Sequence, residues 1–373
     1  MILPDRRAVL AGIGGLAIAP GAWTQGGRIP FEHANGKIFA PALLNGRPVQ
    51  AVLDSGSAFL GVDQRFAAEA GVQPRGRRTR VRGVQHVIEG RGADVASLDI
   101  GGRRLAGLQA LVVDYASLVE TVGRPVEVAL GRDFFSRFVV DLDFERGTFA
   151  LHDPQGFAPP TDATEVRLMP RAGLMPAPVV MPGGRVIWAL VDTGSDSPLI
   201  VSPGVANRLR LFRGRSTTAP LGGIGGGTVA RIASVPRITF GGVAFEDVPV
   251  QAPPRGLGVD ANLGLGILGR FHLWIDFPAR RLWVRPGGEQ GPFRRDLLGF
   301  YGRPEGAGIR VTHVAPGGPA QASGFRTGEL ITAINGLPAA QANQAFREAA
   351  AGTTLAFALS DGRVRRVTLA RYY

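Results

Sequence analysis

Residues 49–57 read Val-Gln-Ala-Val-Leu-Asp-Ser-Gly-Ser, and residues 187–195 read Ile-Trp-Ala-Leu-Val-Asp-Thr-Gly-Ser. In both stretches an apolar run ends at an aspartate, Asp54 or Asp192, and a hydroxyl residue, a glycine and a serine follow. Such a run predicts a buried β-strand that delivers the aspartate to a tight turn. Because the motif occurs twice, the sequence predicts two structurally equivalent halves.

A second pair of matching segments supports this duplication. Ala-Leu-Gly-Arg at 129–132 resembles Ile-Leu-Gly-Arg at 267–270, and the glycine lies 77 residues after the aspartate in both halves. We therefore predict that these two segments are equivalent.

Short helices and strand pairs recur around the two motifs. Asp63 is typical of an N-cap for a helix that reaches Ala70, and Ser202 with Pro203 predicts a helix start that continues to Leu209. Apolar strand pairs are predicted at 139–151 and 274–284. These patterns predict a mostly antiparallel β-fold.

The duplicated aspartates suggest a specific chemistry. Two such loops that face each other across a pseudo-two-fold axis would bring two carboxyl groups within hydrogen-bonding reach. Like charges so close share one proton, so the charged carboxyl can deprotonate a water while the neutral one protonates a carbonyl oxygen. Neither a metal nor a cofactor is required, and the five dispersed histidines show no ligand spacing.

Both copies resemble the Asp-Thr/Ser-Gly motif of the pepsin and retropepsin families, and Leu130-Gly131 and Leu268-Gly269 resemble their hydrophobic-hydrophobic-Gly element. The resemblance covers roughly residues 30–285. It implies a bilobal acid-protease fold with Asp54 and Asp192 as the catalytic pair. It further implies that Ser55 and Thr193 brace the loops and that Ser57 and Ser195 bond the carboxylates; Gly56 and Gly194 complete the two turns.

The resemblance also implies two flaps that close over a peptide. Their predicted residues are Gly83, Val84, Gly223, Ile224 and Gly225. The first flap lacks the tyrosine of pepsin flaps, and each lobe has the small retropepsin size although both lie in one chain.

There are three competing interpretations of the sequence. Gly-Leu-Gly-Ile-Leu-Gly at 264–269 matches the dinucleotide fingerprint as text, but the strand-like segment 271–277 follows it where that fold needs a helix. A serine hydrolase lacks a nucleophile elbow. A catalytically silent peptide-binding scaffold on the same fold stays open as the alternative.

The C-terminal portion resembles a circularly permuted PDZ domain of the bacterial type, a small α+β module. The matching stretches are 298–300, 314–320 and 328–336. The resemblance implies that a peptide adds to a sheet edge and that amides near Leu298, Gly299 and Phe300 hold its terminal carboxylate. Such a module would recruit substrate or partner C-termini.

Composition limits the remaining classes. The chain of 373 residues has no cysteine and a net charge of +12, and Lys37 is its only lysine. The arginine cluster Arg75, Arg77, Arg78, Arg80 and Arg82 is typical of a solvated strand face, with steering of an acidic substrate or an anionic membrane as the alternative. No aromatic-interleaved basic platform indicates nucleic-acid binding.

The N-terminus is typical of an export signal. Arg6-Arg7 precedes an apolar stretch that reaches about Ala19, which is short for a membrane span, and the pair resembles a twin-arginine signal although Asp5 replaces the usual Ser or Thr. We expect a periplasmic or secreted aspartic endopeptidase that acts on polypeptides as a monomer. The expected domains are the signal peptide 1–26, protease lobes 27–157 and 158–288, and the PDZ-like domain 293–373.

Overall fold

Strands make up most of the secondary structure in the computed structural model, which describes residues 27–83, 86–171, 173–342 and 349–373. The mostly-β prediction is confirmed. The predicted export segment and Val84 of the first flap lie outside the described residues.

The described residues of the first half form eleven strands and three short helices. Strands β1 to β11 are Ile29–Pro30, Glu32–Ala34, Lys37–Leu44, Arg47–Leu53, Leu60–Asp63, Pro74–Arg82, Val87–Ile100, Arg103–Val113, Val128–Leu130, Val139–Asp143 and Thr148–His152. Helices α1 to α3 are Gln64–Glu69, Ala116–Val122 and Arg132–Phe135. Asp63 caps α1 as predicted, because its side chain accepts from the amides of Arg65 and Phe66.

The described residues of the second half form a similar set of ten strands, two helices and one 3-10 turn. Strands β12 to β21 are Thr164–Arg167, Pro176–Met181, Arg185–Val191, Leu199–Val201, Ser216–Leu221, Thr228–Phe240, Val243–Ala252, Ala261–Leu263, Phe271–Asp276 and Arg281–Pro286. Helices α4 and α5 are Pro203–Arg208 and Leu265–Leu268, and a 3-10 turn covers Pro182–Gly184. Ser202 caps α4 through the amide of Val205, again as predicted.

The two halves have the same strand order, apart from the additional edge strand β2 in the first. The first forms the sheet β2-β3-β4-β9-β5-β8-β7-β6, and the second forms β13-β14-β19-β15-β18-β17-β16. Additional pairings of β3 with β7 and of β13 with β17 curl each sheet back on itself. In both halves the strand that carries the aspartate motif, β4 or β14, runs parallel to a short buried strand, β9 or β19. This arrangement places the two aspartate loops in equivalent positions.

Local turn chemistry explains the approach to the first motif. Asn45 and Gly46 connect β3 to β4, and both have positive φ values of 49° and 79°. A two-residue hairpin of this kind requires left-handed backbone at both positions, which Asn-Gly supplies at low cost. The turn therefore fixes the register of β4 and the position of Asp54 at its end.

A third sheet joins the halves. Its strand order is β1-β11-β10-β20-β21-β12, so it combines strands from both sides of the predicted boundary at 157–158. The buried Asp141 on β10 accepts hydrogen bonds from Arg28 Nη1 at 2.7 Å and from His272 Nε2 at 2.6 Å. Burial alone would raise the pKa of Asp141, but its bonds with His152, His272 and Arg28 hold that pKa well below the usual range. The two halves therefore share a polar contact as well as a core.

The C-terminal module has its own sheet and core. Strands β22 to β27 are Phe300–Glu305, Gly308–Val314, Leu330–Ile334, Leu337–Pro338, Thr354–Leu359 and Val364–Thr368, and helices α6 and α7 are Pro319–Ala322 and Ala339–Ala342. The sheet order is β22-β23-β24-β26-β27, and β25 pairs with β24. Three phenylalanine rings, Phe300, Phe325 and Phe357, contact one another in its core. Strands β26 and β27 pair as a hairpin around Asp361-Gly362.

The C-terminal module packs on β16 and β17 of the second half. Ala219 and Ile232 form a buried apolar cluster with Ala315, Tyr372 and Tyr373 of the module. Among the described residues, no helix is both long and apolar enough to cross a membrane.

Candidate active site

The two aspartates are delivered to one place by equivalent backbone contacts. The amide of Asp54 donates to the carbonyl of Leu130 at 3.0 Å, and the amide of Asp192 donates to that of Leu263 at 3.0 Å. The two carboxyl groups lie within hydrogen-bonding reach of each other. The structure thus brings together the pair that the sequence singled out.

Residues Ser55 and Thr193 link the two loops reciprocally. Each backbone amide donates to the other residue's hydroxyl oxygen at 3.0 Å. The hydroxyl of Ser55 donates to the carbonyl of Val191 at 2.8 Å, and that of Thr193 donates to the carbonyl of Leu53 at 2.8 Å. Both side chains are fully buried. Since every bond crosses between the halves, neither aspartate loop can move without the other.

The glycines of the two motifs leave room for the opposite carboxyl group. A Cβ atom on Gly56 would lie 2.3 Å from Cγ of Asp192, and one on Gly194 would lie 2.4 Å from Cγ of Asp54. Any side chain at either position would displace the partner carboxyl. Glycine is therefore required here for close approach.

Backbone amides, more than serine hydroxyls, hold the carboxylates. Oδ1 of Asp54 accepts from the amides of Gly56 at 3.1 Å and Ser57 at 3.0 Å, and Oδ1 of Asp192 accepts from the amide of Gly194 at 2.8 Å. The hydroxyl of Ser57 instead donates to the carbonyl of Phe59 at 3.3 Å, and the amide of Ser195 donates to the carbonyl of Asp192. Ser57 therefore bonds the carboxylate of Asp54 through its amide, while its hydroxyl turns back onto its own loop.

The second hydrophobic-hydrophobic-Gly element is not where the sequence comparison placed it. Leu263 and Gly264 occupy the place that Leu130 and Gly131 have in the first half: β14 pairs in parallel with β19, and Leu265 N donates to the carbonyl of Ser195 as Arg132 N does to that of Ser57. The predicted segment 267–270 instead covers the end of α5 and the residues after it. The aspartate-to-glycine distance is thus 72 residues in the second half, and the matched spacing of 77 was coincidental.

Because Leu263-Gly264 is the equivalent element, the residue before it lies at the site, and sequence reasoning missed this residue. Asn262, which precedes Leu263 on β19, donates a short hydrogen bond from Nδ2 to Oδ2 of Asp192. Its counterpart in the first half is Ala129. Among the residues that the structure describes, only Asp192 of the two aspartates therefore accepts from a side-chain amide.

Lys37 is the second residue that sequence reasoning missed at the site. It lies at the start of β3 in the first half, and its Nζ donates to the carbonyl of Gly194 in the second-half loop at 2.5 Å. The adjoining Gly36 packs against Asp196 so closely that a Cβ would lie 2.3 Å from that of Asp196. The only lysine of the chain is thus positioned beside the aspartate pair.

These surroundings determine the protonation of the pair. Burial, followed by the neighbouring carboxyl of Asp192, raises the pKa of Asp54 to about 7. The Lys37 cation and the Ser57 amide act in the opposite direction, because both stabilise the charged carboxylate. One proton is therefore retained by the pair at acidic to neutral pH.

A family model for aspartyl proteases matches residues 40–134 and 177–270, once in each half. The chain belongs to the aspartyl protease family. A family model for PDZ domains matches residues 290–352. No curated protein matches the chain.

The predicted flaps of the protease lie against each other. A Cβ on Gly83 would lie 2.2 Å from the carbonyl oxygen of Ile224, and one on Gly225 would lie 2.5 Å from Cγ2 of Ile88. The amide of Gly225 donates to Oγ of Ser117 on α2 at 3.0 Å, and Gly223 accepts from the amide of Gly226 within its own loop. The second flap therefore reaches the first half and is held there.

In the PDZ domain the predicted carboxylate-binding amides are already engaged. The amides of Leu298 and Gly299 donate to the two carboxylate oxygens of Asp296, each at 3.0 Å, while Phe300 begins β22. A side chain of the same loop therefore takes the hydrogen bonds of two of the amides that we expect to hold a peptide carboxylate.

The arginine cluster of β6 has solvent-exposed acidic partners. Arg75 pairs with Asp94 at 2.6 Å and Arg78 pairs with Glu89 at 2.7 Å, with all four side chains more than half exposed. These pairs favour the interpretation of a solvated strand face.

Proposed function

We propose that the protein is an exported aspartic endopeptidase that hydrolyses polypeptides with the pair Asp54 and Asp192. The observation that carries this proposal is the pairing itself: two carboxyls within hydrogen-bonding reach, on loops that the reciprocal bonds of Ser55 and Thr193 lock together. A scaffold kept only for binding would not need both carboxyls and both bracing hydroxyls.

The chemistry follows from the shared proton. The charged carboxyl accepts a proton from a water that attacks the scissile carbonyl carbon, and the neutral carboxyl protonates the carbonyl oxygen. The tetrahedral intermediate then collapses as a proton passes to the leaving amine. The amides at Gly56, Ser57 and Gly194 stabilise whichever carboxyl is charged. The two flaps would exclude bulk water and hold the peptide in an extended form above the pair.

Incubation of the mature protein with an unfolded polypeptide at acid to neutral pH tests the proposal. We expect cleavage by the wild type and a loss of at least about a thousandfold in Asp192→Asn, because one carboxyl alone cannot both accept the proton of the water and donate a proton to the carbonyl oxygen. Asp153→Asn is the matched control, since it makes the same chemical change at a side chain that is exposed and paired with Arg103. Equal traces of cleavage in all three proteins would instead support a catalytically silent scaffold.

We further propose that residues 1–26 direct export and that the PDZ domain recruits polypeptides to the protease lobes. A reporter fused behind residues 1–26 tests the first part. Replacing Arg6 and Arg7 together with lysine should abolish twin-arginine transport of a folded reporter. Export that persists in this variant and proceeds only for an unfolded reporter would contradict the twin-arginine route.

A further inference from the structure

In the PDZ domain, the amides of Leu298 and Gly299, which we expect to hold a peptide carboxylate, bind a carboxylate of their own chain. Oδ1 of Asp296 accepts from Leu298 N and Oδ2 accepts from Gly299 N, each at 3.0 Å. The hydroxyl of Tyr372 donates to the same Oδ2 at 2.6 Å. Asp296 therefore has three donors that fix it in this place.

A peptide with a free C-terminus would compete for these same amides. To bind them it would have to displace Asp296 and separate it from Tyr372. If Asp296 stayed, two negative charges would lie side by side, which disfavours binding. Asp296 therefore disfavours the binding of a terminal carboxylate at these amides.

Beside this loop, the described residues leave room for part of an extended chain. A cavity of about 210 Å³ adjoins the loop, and the charged side chains Arg295 and Asp296 line it together with apolar ones that include Leu297, Leu298, Phe300, Ile309 and Leu369. Strand β22 borders this cavity, and among the described residues it pairs on one side only, with β23. An edge strand beside an apolar cavity can accept an added strand and one of its side chains.

We propose that this PDZ domain binds internal extended segments of polypeptide, with one apolar side chain in the cavity, rather than free C-termini. As a route by which substrate reaches the protease lobes, the proposal rests on the proposed function. As a statement about the groove, it rests on Asp296, β22 and the cavity alone.

Peptide binding measured in the Asp192→Asn variant keeps the two proposals apart, because the probe is not cleaved and no activity is read. The probes are three fluorescent peptides that share the segment Thr-Val-Val-Leu-Val. One ends in a free carboxylate, one ends in an amide, and one continues with Gly-Ser repeats on both sides. We expect the amidated and internal forms to bind at least as tightly as the free acid.

The three peptides decide the question without any change to the groove. A preference for the free acid on the order of tenfold, the worth of a charge-assisted hydrogen bond, would overturn the proposal. Failure of all three to bind would overturn it as well.

Substitution of Asp296 gives an independent check. In Asp296→Ala the freed amides should improve binding of the free acid on the order of tenfold while the internal peptide is little changed. Tyr372→Phe removes one donor to Asp296 but leaves both amide bonds, so it should retain the wild-type order. Thermal unfolding of each variant shows whether the domain is folded, and an Asp296→Ala variant that is folded without this gain contradicts the proposed role of Asp296.

Discussion

At the scale of single residues, the two aspartates have equivalent backbone contacts but differ in the side chains around them. Asn262 donates to Asp192, whereas Ala129 occupies the matching place near Asp54. Lys37 reaches the second loop from the first half. Asn262 and Lys37 therefore make the surroundings of the two aspartates different. Each of these side chains leads to a prediction about catalysis.

Asn262→Ala should lower kcat on the order of tenfold with little change in KM. The lost hydrogen bond stabilises a carboxylate that is charged during the reaction, so its removal acts on the chemical step more than on peptide binding. Steady-state kinetics on one peptide substrate measures both constants. Asn207→Ala, the same truncation at an exposed position of α4, should match the wild type. An unchanged kcat in Asn262→Ala would show that Asp192 is held without the amide.

Lys37→Met should move the alkaline limb of the pH–activity profile to higher pH. The Lys37 cation lowers the pKa of Asp54, which burial and Asp192 raise to about 7. Without the cation that pKa rises further, so the pair keeps its shared proton to a higher pH and activity is lost later. The measurement is kcat/KM across acid to alkaline pH, and Lys37→Arg, which retains the charge, should keep the wild-type limb. If the Met and Arg variants have the same limb, the charge of Lys37 does not set the protonation of the pair.

At the scale of elements, the two flaps depend on glycines at their contact. Gly225 has φ +84°, and a Cβ there would lie 2.5 Å from Cγ2 of Ile88. Gly225→Ala should therefore force the flaps apart and lower kcat/KM on the order of tenfold, since misplaced closing elements cost about that much.

The control for this prediction is Gly156→Ala. Gly156 has nearly the same backbone angle, φ +82°, but its Cβ would meet nothing within 4 Å. Both variants carry the cost of left-handed backbone, about 1–2 kcal/mol of stability, which thermal unfolding measures. Equal kcat/KM values in the two variants would mean that flap contact does not contribute to catalysis.

At the scale of elements, the sequence could predict some parts of the structure and not others. The aspartate loops, the caps of α1 and α4 and the mostly-β fold depend on patterns within a few residues, and these predictions were confirmed. The Leu263-Gly264 element was missed because a chance match at 267–270 repeated the first-half spacing, while the second half is five residues shorter between its two landmarks. The pairing of β14 with β19 identifies the Leu263-Gly264 element. Such pairing is a contact between residues far apart in sequence, which spacing alone cannot reveal. Lys37 and Asn262 were missed for the same reason.

At the scale of the whole molecule, the PDZ domain is attached to the stem of a flap. Strands β16 and β17 carry the second flap at their tip, and the PDZ domain packs on both. Thr217 donates to the carbonyl of Pro316 at 2.7 Å, and Arg371 pairs with Asp247 at 2.5 Å. The PDZ domain also has a core separate from that of the protease halves. Because the two cores are separate, the contact between them determines whether they unfold together.

Ala219→Arg should separate the PDZ domain from the second lobe while both stay folded. Ala219 is 2% exposed and contacts the Tyr372 cluster, so a long charged side chain there cannot fit without an unpaired buried charge. The cost to docking should be at least about 3 kcal/mol. Calorimetry should then resolve two unfolding transitions in place of one. The segment 287–294, which lies between β21 and the sheet of the PDZ domain, should become more sensitive to limited proteolysis.

Val229→Arg is the matched control, because Val229 is 46% exposed on β17 and the same added charge can reach solvent there. Two transitions in the wild type, or one transition in Ala219→Arg, would show that this contact does not couple the domains, and the PDZ domain would then have no mechanical connection to the flap.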